Sequence, residues 1–185
     1  MSMICRGTQD DLARVLEIVA SHPTHFVPAA YSLIESDYRQ FPSYVWDEAG
    51  SVAGFIVWMS KALELELLWM AVHPQASGRG IGGQLVDAAI GEAQSQRVVL
   101  LKTASPDSQI PGTGFCGRAY RETIDFFIRR GFREACRLES YCGSQNHCVV
   151  LYRVLHDPAV AGIVERLGGG RRAGGAYRQA AGHRG

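Results

Sequence analysis

Several things are scarce in this sequence. Its five cysteines, Cys5, Cys116, Cys136, Cys142 and Cys148, are odd in number and form no C-x-x-C pair. Free thiols in a reducing compartment are expected, not a disulfide framework or a zinc site. The six histidines show no H-E-x-x-H or other ligand spacing, so no metal is expected. No G-x-S-x-G elbow is present. No apolar run approaches the roughly 20 residues of a membrane span. The first residues, MSMICRGTQDD, lack the basic-then-apolar order of a signal peptide. A cytoplasmic location with no membrane partner is therefore expected. The formal net charge is only +1, so the chain as a whole is not built to bind nucleic acid or an anionic surface.

What remains is a globular composition: 185 residues, 46% hydrophobic and 20% charged, enough for one domain with a real core. Thr8 caps a first helix carrying Leu12, Val15, Leu16 and Val19 at helical spacing, with Asp11 at its third position; Pro23 ends it. A second helix spans about 28 to 40. Residues 44–47 and 51–59, rich in β-branched and aromatic types around an E-A-G turn, read as a hairpin. The stretch 62–72, ALELELLWMAV, is the next strand. A glycine loop follows, then a helix from about Ile81 to Gln96, with Ile81, Leu85, Ala88 and Ala89 on one face. VVLLKTA at 98–104 suits a buried strand. After a Gly/Pro-rich loop come a helix over 119–130, stopped by Gly131, and strands over 132–141 and 147–155. A short amphipathic helix is expected over 156–167. Residues 168–185 hold seven Gly, four Arg and no acid, the composition of a disordered tail. With four arginines and one aromatic, Tyr177, the tail is thin for nucleic-acid binding. The order of elements describes a mixed α/β single domain over 1–155.

HPQASGRGIGG, residues 73–83, carries Gly78, Gly80, Gly82 and Gly83 between a strand and a helix. Free N–H groups at such a junction make a site for phosphate. A P-loop needs G-K-[ST], which is absent. A dinucleotide fingerprint matches at Gly78, Gly80 and Gly83, but HPQAS separates it from its strand. The next strand ends in Lys102 and Thr103, without the acid that reads a ribose.

The third cradle is one for acyl-CoA. LLWMAVHPQASGRGIGGQLV resembles the main motif of the GNAT superfamily of acyl-CoA-dependent N-acyltransferases: a strand ending in an A-V run, H-P, then [QR]-x-x-G-x-[GA] opening a helix. The core here is Ser77-Gly78-Arg79-Gly80-Ile81-Gly82, with Ser77 in place of the usual Gln or Arg. FFIRRGF resembles the family's F-Y-x-x-x-G-F ending. The resemblance covers the domain and excludes the tail.

The resemblance implies a single-domain GNAT-like fold, a mixed sheet of six to seven strands whose central parallel strands splay into a V. It implies acetyl-CoA as acyl donor, with the pyrophosphate on the amides of Gly78 to Gly83 and the pantetheine along Met70, Ala71 and Val72. Phe127, where the family often has a tyrosine acid, would pack beside the pantetheine; Tyr120 or Tyr141 would supply a hydroxyl instead. Glu66, five residues before Ala71, takes the position of the family's general base, and Glu64 is a weaker candidate that could attract a cationic substrate. Along ALELELLWMAV, Leu63, Leu65 and Leu67 face one way and Glu64 and Glu66 the other. Arg129 and Arg130, at the end of the helix over 119–130, could reach the CoA ribose phosphate, but are read as cations favoured at a helix C-terminus.

The implied activity is acetyl transfer to a primary amine, on a small molecule or a peptide. The loops 22–44, 104–119 and 140–148 would line the acceptor site with Tyr31, Tyr38, Phe41, Tyr44, Phe115 and Tyr141. Two other classes stay open: a catalytically degenerate CoA-binding sensor or scaffold, and nucleic-acid binding through the tail. A homodimer is also left open.

Overall fold

A computed structural model of the chain describes residues 2–110, 113–141, 143 and 145–155. The helix expected over 156–167 and the tail over 168–185 lie outside the described residues. The elements are β1 (Ser2–Arg6), α1 (Leu12–Ala20), α2 (Pro28–Gln40), β2 (Ser43–Glu48), β3 (Ser51–Ser60), β4 (Glu64–Val72), α3 (Ile81–Gly91), β5 (Val98–Ala104), α4 (Tyr120–Arg129), β6 (Arg133–Leu138) and β7 (Cys148–Val154).

The sheet has seven strands in the order β1-β2-β3-β4-β5-β7-β6. β4 and β5 are parallel and every other pair is antiparallel. One apolar cluster, with Leu65, Leu67, Ile81, Leu85, Val86, Phe127 and Phe132, fills the side covered by α3 and α4. The other, with Val15, Ile18, Val19, Ile34, Phe55 and Ala71, lies under α1 and α2. The first helix begins in a 3-10 turn at Gln9–Asp11, where the Asp11 carboxylate accepts from both the N–H and the hydroxyl of Thr8 at 2.8 Å.

Two features of β4 shape the site. The parallel pairing runs only from Glu64–Val98 to Leu67–Leu101. Beyond it, Trp69–Val72 pair with β3 alone and Lys102–Ala104 with β7 alone, so the two strands part. At the fork, Val57 pairs with Trp69 and Trp58 with Leu67, which leaves Leu68 as an extra, bulged residue. The bulge shifts the alternation by one. Leu65, Leu67, Met70 and Val72 reach the α3–α4 cluster, whereas Leu68, Trp69 and Ala71 reach the α1–α2 cluster. Leu63 precedes the strand and is 61% exposed, so it does not join Leu65 and Leu67 as the simple alternation implied.

Candidate active site

The glycine loop splits into two pairs with different reasons for being glycine. Gly78 and Gly80 have φ of 76° and 78°, in the left-handed region, and a Cβ at either would meet only open space. They turn the chain. Gly82 and Gly83 have ordinary helical backbones; they serve contact. A Cβ on Gly82 would lie 3.7 Å from the Phe126 ring and 3.6 Å from Val72, and one on Gly83 would land on the Arg130 guanidinium. Gly80 caps α3 without a side-chain acceptor. Among the described residues, none of the N–H groups from Gly78 to Gly83 finds an acceptor. The loop thus leaves unsatisfied donors at a helix N-terminus, the arrangement that suits a phosphate group. Ile81 is buried at the helix start, and the Ser77 hydroxyl turns back to the His73 carbonyl at 3.5 Å. Arg79 forms a two-pronged ion pair with Glu48 at the end of β2, and this cation holds the Glu48 carboxyl below its usual range. His73 acts locally: its Nδ1 accepts from the Gln75 N–H at 3.3 Å and fixes the turn before the loop.

Along the open edge of β4, backbone direction matters more than side chains. The His73 N–H donates to Ala53 of β3 at 2.8 Å. Alternation then turns the backbone of Val72, and of Met70 two residues earlier, toward the gap, and that of Ala71 toward β3. Ala71 is core. The Val72 carbonyl is not free: His22 Nε2 donates to it at 2.8 Å. His22 belongs to the loop between α1 and α2, which is tied to the segment before α4. The Cys116 N–H donates to the Thr24 carbonyl at 2.8 Å and the Tyr120 hydroxyl to the His25 carbonyl. The His25 ring lies 5.0 Å from Tyr120, and burial together with the nearby His22 holds its pKa below the ordinary imidazole value.

Glu66 sits at the apex of the fork, paired with Leu100, and is 5% exposed. Its carboxylate touches Lys102 Nζ and lies 3.0 Å from Lys61 Nζ. Burial pushes its pKa up, but the hydrogen bonds from Lys102 and Lys61 outweigh that and hold it below the usual carboxylate range. Glu64 pairs with Lys61 at 2.6 Å. The Tyr141 ring is 6.0 Å from Lys102 Nζ. The structure therefore brings Glu66, Glu64, Lys61, Lys102 and Tyr141 together, while the Tyr120 hydroxyl donates to the His25 carbonyl. Lys61 and Lys102 were not anticipated as neighbours of Glu66; alternation on ALELEL and VVLLKTA could have placed Lys102 on that face had the parallel register been known.

Phe127 is 4% exposed and packs edge-on against Phe126 and Phe132 at 5.0 and 5.2 Å, within the cluster under α3 and α4. Phe126 is the aromatic that lies over Gly82. Of the aromatics expected around the acceptor, Tyr38 is buried in the core, whereas Tyr141 is 53% exposed.

No group of three or more metal-ligating side chains occurs among the described residues, and no helix there is long and apolar enough to cross a membrane.

The model for the acetyltransferase (GNAT) domain matches residues 40–134, which spans β2 through the start of β6 and contains both the cradle and Glu66. No curated protein sequence matches significantly. Solved structures share the fold. The ribosomal-protein-S18-alanine N-acetyltransferase from Escherichia coli superposes with a TM-score of 0.65 at 17% identity, covering 85% of this chain and 96% of that one. An N-acetyltransferase from Staphylococcus aureus Mu50 gives 0.63 at 20% identity, with 84% and 99% covered. A Bacillus subtilis acetyltransferase in complex with CoA gives 0.61 at 18% identity, with 84% and 100% covered. The forked parallel pair, the amide cradle and the matched domain agree: this chain belongs to the GNAT acetyltransferase family.

Proposed function

We propose that the protein transfers an acetyl group from acetyl-CoA to a primary amine by direct attack, with Glu66 as general base. The observation that carries this is the fork itself. An amide cradle stands at its open end, a strand edge without a neighbouring strand runs along it, and a carboxylate sits at its apex. The amides of Gly78 to Gly83 hold the pyrophosphate, and the open-edge backbone of Met70 and Val72 pairs with the pantetheine. The donor supplies an acetyl group activated as a thioester. As the N–C bond forms the C–S bond breaks, and the proton on the amine passes to Glu66, directly or through water.

A free alkylamine has a pKa near 10, so an ionised carboxylate at the apex first attracts the ammonium and then accepts its proton. The two lysines make Glu66 a weaker base than a lone carboxylate but keep it charged. Lys102, one residue past the fork on β5, offsets the charge of the departing thiolate. A thiol has a pKa near 8.5, so no tyrosine acid is required and the phenylalanine at 127 is no obstacle. Tyr120 serves by holding the α1–α2 loop. The acceptor is a small-molecule or peptide amine reaching Glu66 past the exposed Tyr141.

Calorimetric titration with acetyl-CoA, with NAD as the control ligand, tests the cradle. Acetyl-CoA is expected to bind and NAD not. Gly80→Asp, which points a carboxylate at the phosphates, weakens binding by about tenfold or more. A thiol-release screen over amines then tests turnover: Glu66→Gln is expected to keep acetyl-CoA affinity and lose rate. Absence of acetyl-CoA binding overturns the reading; binding with no turnover on any amine favours a CoA-binding sensor or scaffold.

A further inference from the structure

The cradle has donors but no uncommitted cation from its own loop. Ser77 is neutral, and Arg79 is drawn to Glu48 by both of its terminal nitrogens. Outward N–H groups recognise phosphate oxygens, but a diphosphate and a ribose phosphate carry more charge than neutral amides balance.

Arg130 is the residue after α4, and its guanidinium lies directly over Gly83 in the first turn of α3. It stacks 5.0 Å from the Phe126 ring, which itself covers Gly82. Nη1 is 3.3 Å from Asp87, one turn further along α3, and Nη2 is the nitrogen over Gly83. The Arg130 side chain is 28% exposed and Asp87 62%. The guanidinium is thus held at one edge by a long, solvent-facing ion pair, and its other edge lies against the Gly83 backbone in the first turn of α3, the turn whose amides form part of the cradle. A helical glycine costs roughly 0.5–1 kcal/mol relative to alanine. Two in succession with ordinary helical φ are explained by what α4 lays across them, an aromatic ring and a guanidinium. Gly83 is therefore a slot for Arg130.

We propose that Arg130 is the cationic phosphate ligand of this cradle, reaching across from α4 in place of a basic side chain from the loop. The inference rests on the acyl-CoA reading of the site. It makes Phe126 a positioning residue, the flat surface that keeps the guanidinium over α3.

The test titrates the whole chain with CoA and separately with pantetheine, which lacks the phosphates. Arg130→Gln is expected to weaken CoA by about ten- to a hundredfold, the worth of charge-assisted hydrogen bonds, with pantetheine binding unchanged. It also flattens the salt dependence of CoA binding. Gly83→Ala leaves every charge in place yet displaces the guanidinium, and so reproduces the loss. Arg130→Lys recovers part of it. Thermal midpoints of the variants establish that each is folded. CoA affinity in Arg130→Gln equal to wild type overturns the proposal, as does an equal loss for CoA and pantetheine, which marks Arg130 as structural only. A wild-type chain that binds no CoA fails the acyltransferase reading itself, a result distinct from both.

Discussion

Glu66 carries two opposed demands. A buried carboxylate resists ionisation, and the two ammonium groups against it reverse that resistance. Its pKa is lower folded than the ordinary 4.5. The linked stability is therefore fully present above that ordinary value and is lost as pH falls through the folded pKa. Glu66→Gln is expected to cost about 1–2 kcal/mol at pH 7, discounted because both lysines are partly solvated. The gap in melting temperature between wild type and variant should close below about pH 4.5. A gap that stays constant down to pH 3 would mean that the ion pairs contribute nothing. Catalysis gives a second handle with the opposite readout. Lys102→Met removes one ammonium, so the Glu66 pKa rises and the acid limb of the kcat/KM profile moves to higher pH. An unmoved limb would show that Glu66 is not the titrating base. Gly117 offers a purely structural contrast. A Cβ there would sit 2.7 Å from the Ser105 carbonyl and as tightly against that of Ser108, both backbone atoms that cannot swing aside. Gly117→Ala is expected to destabilise by about 1–3 kcal/mol, seen as a lower thermal midpoint, and to leave the CoA affinity of the folded protein intact.

At the scale of elements, most boundaries follow from period and punctuation. α2 runs from Pro28 to Gln40 and β5 from Val98 to Ala104, as apolar spacing and the flanking prolines or glycines imply. Three things were not legible. β1 is five residues of mixed type, SMICR, with no alternation to mark it. β7 inserts between β5 and β6, a choice made by long-range pairing that no local pattern encodes. The bulge at Leu68 hides because LLWMAV is apolar on both faces, so a slip of one residue leaves the hydrophobic pattern unchanged. The cradle was legible because left-handed and close-approach positions demand glycine. Arg130 was legible as a cation able to reach the ribose phosphate, but nothing in the sequence placed it over Gly83, and the ordinary reason for a basic residue at a helix end prevailed.

The α1–α2 loop was equally unreadable in its role: His22 holds the one carbonyl on the open edge of β4 that pantetheine pairing would use at Val72. On the proposed pantetheine track, the cofactor competes with His22 for that carbonyl. His22→Ala is therefore expected to tighten CoA by about two- to tenfold, the net worth of one hydrogen bond. Unchanged or weaker binding in calorimetry would place the pantetheine elsewhere.

For the molecule as a whole, the fork is the consequence of two half-sheets meeting along four paired residues. β1 to β4 form one antiparallel half, carried on α1 and α2, and β5, β7 and β6 form the other. The second half is completed by the last described strand. β7 lies between β5 and β6, contributes Val149 and Leu151 to the buried cluster, and is followed by Leu155, whose N–H donates to the Arg97 carbonyl at 2.9 Å. Without β7, β5 loses its antiparallel neighbour and β6 has no partner in the sheet. Every strand pairing among the described residues closes within residues 2–155. Two truncations follow with opposite outcomes. A chain ending at Leu155 is expected to melt within about 2 °C of the full chain and to bind acetyl-CoA with unchanged affinity. A chain ending at His147 is expected to show no cooperative melting transition, because removing β7 exposes Val149's and Leu151's partners on β5 and on α4's side of the sheet. A large loss of affinity in the Leu155 truncation would mean that residues after 155 belong to the acyl-CoA site, and the cradle, the open strand edge and Arg130 would no longer be sufficient to hold the cofactor.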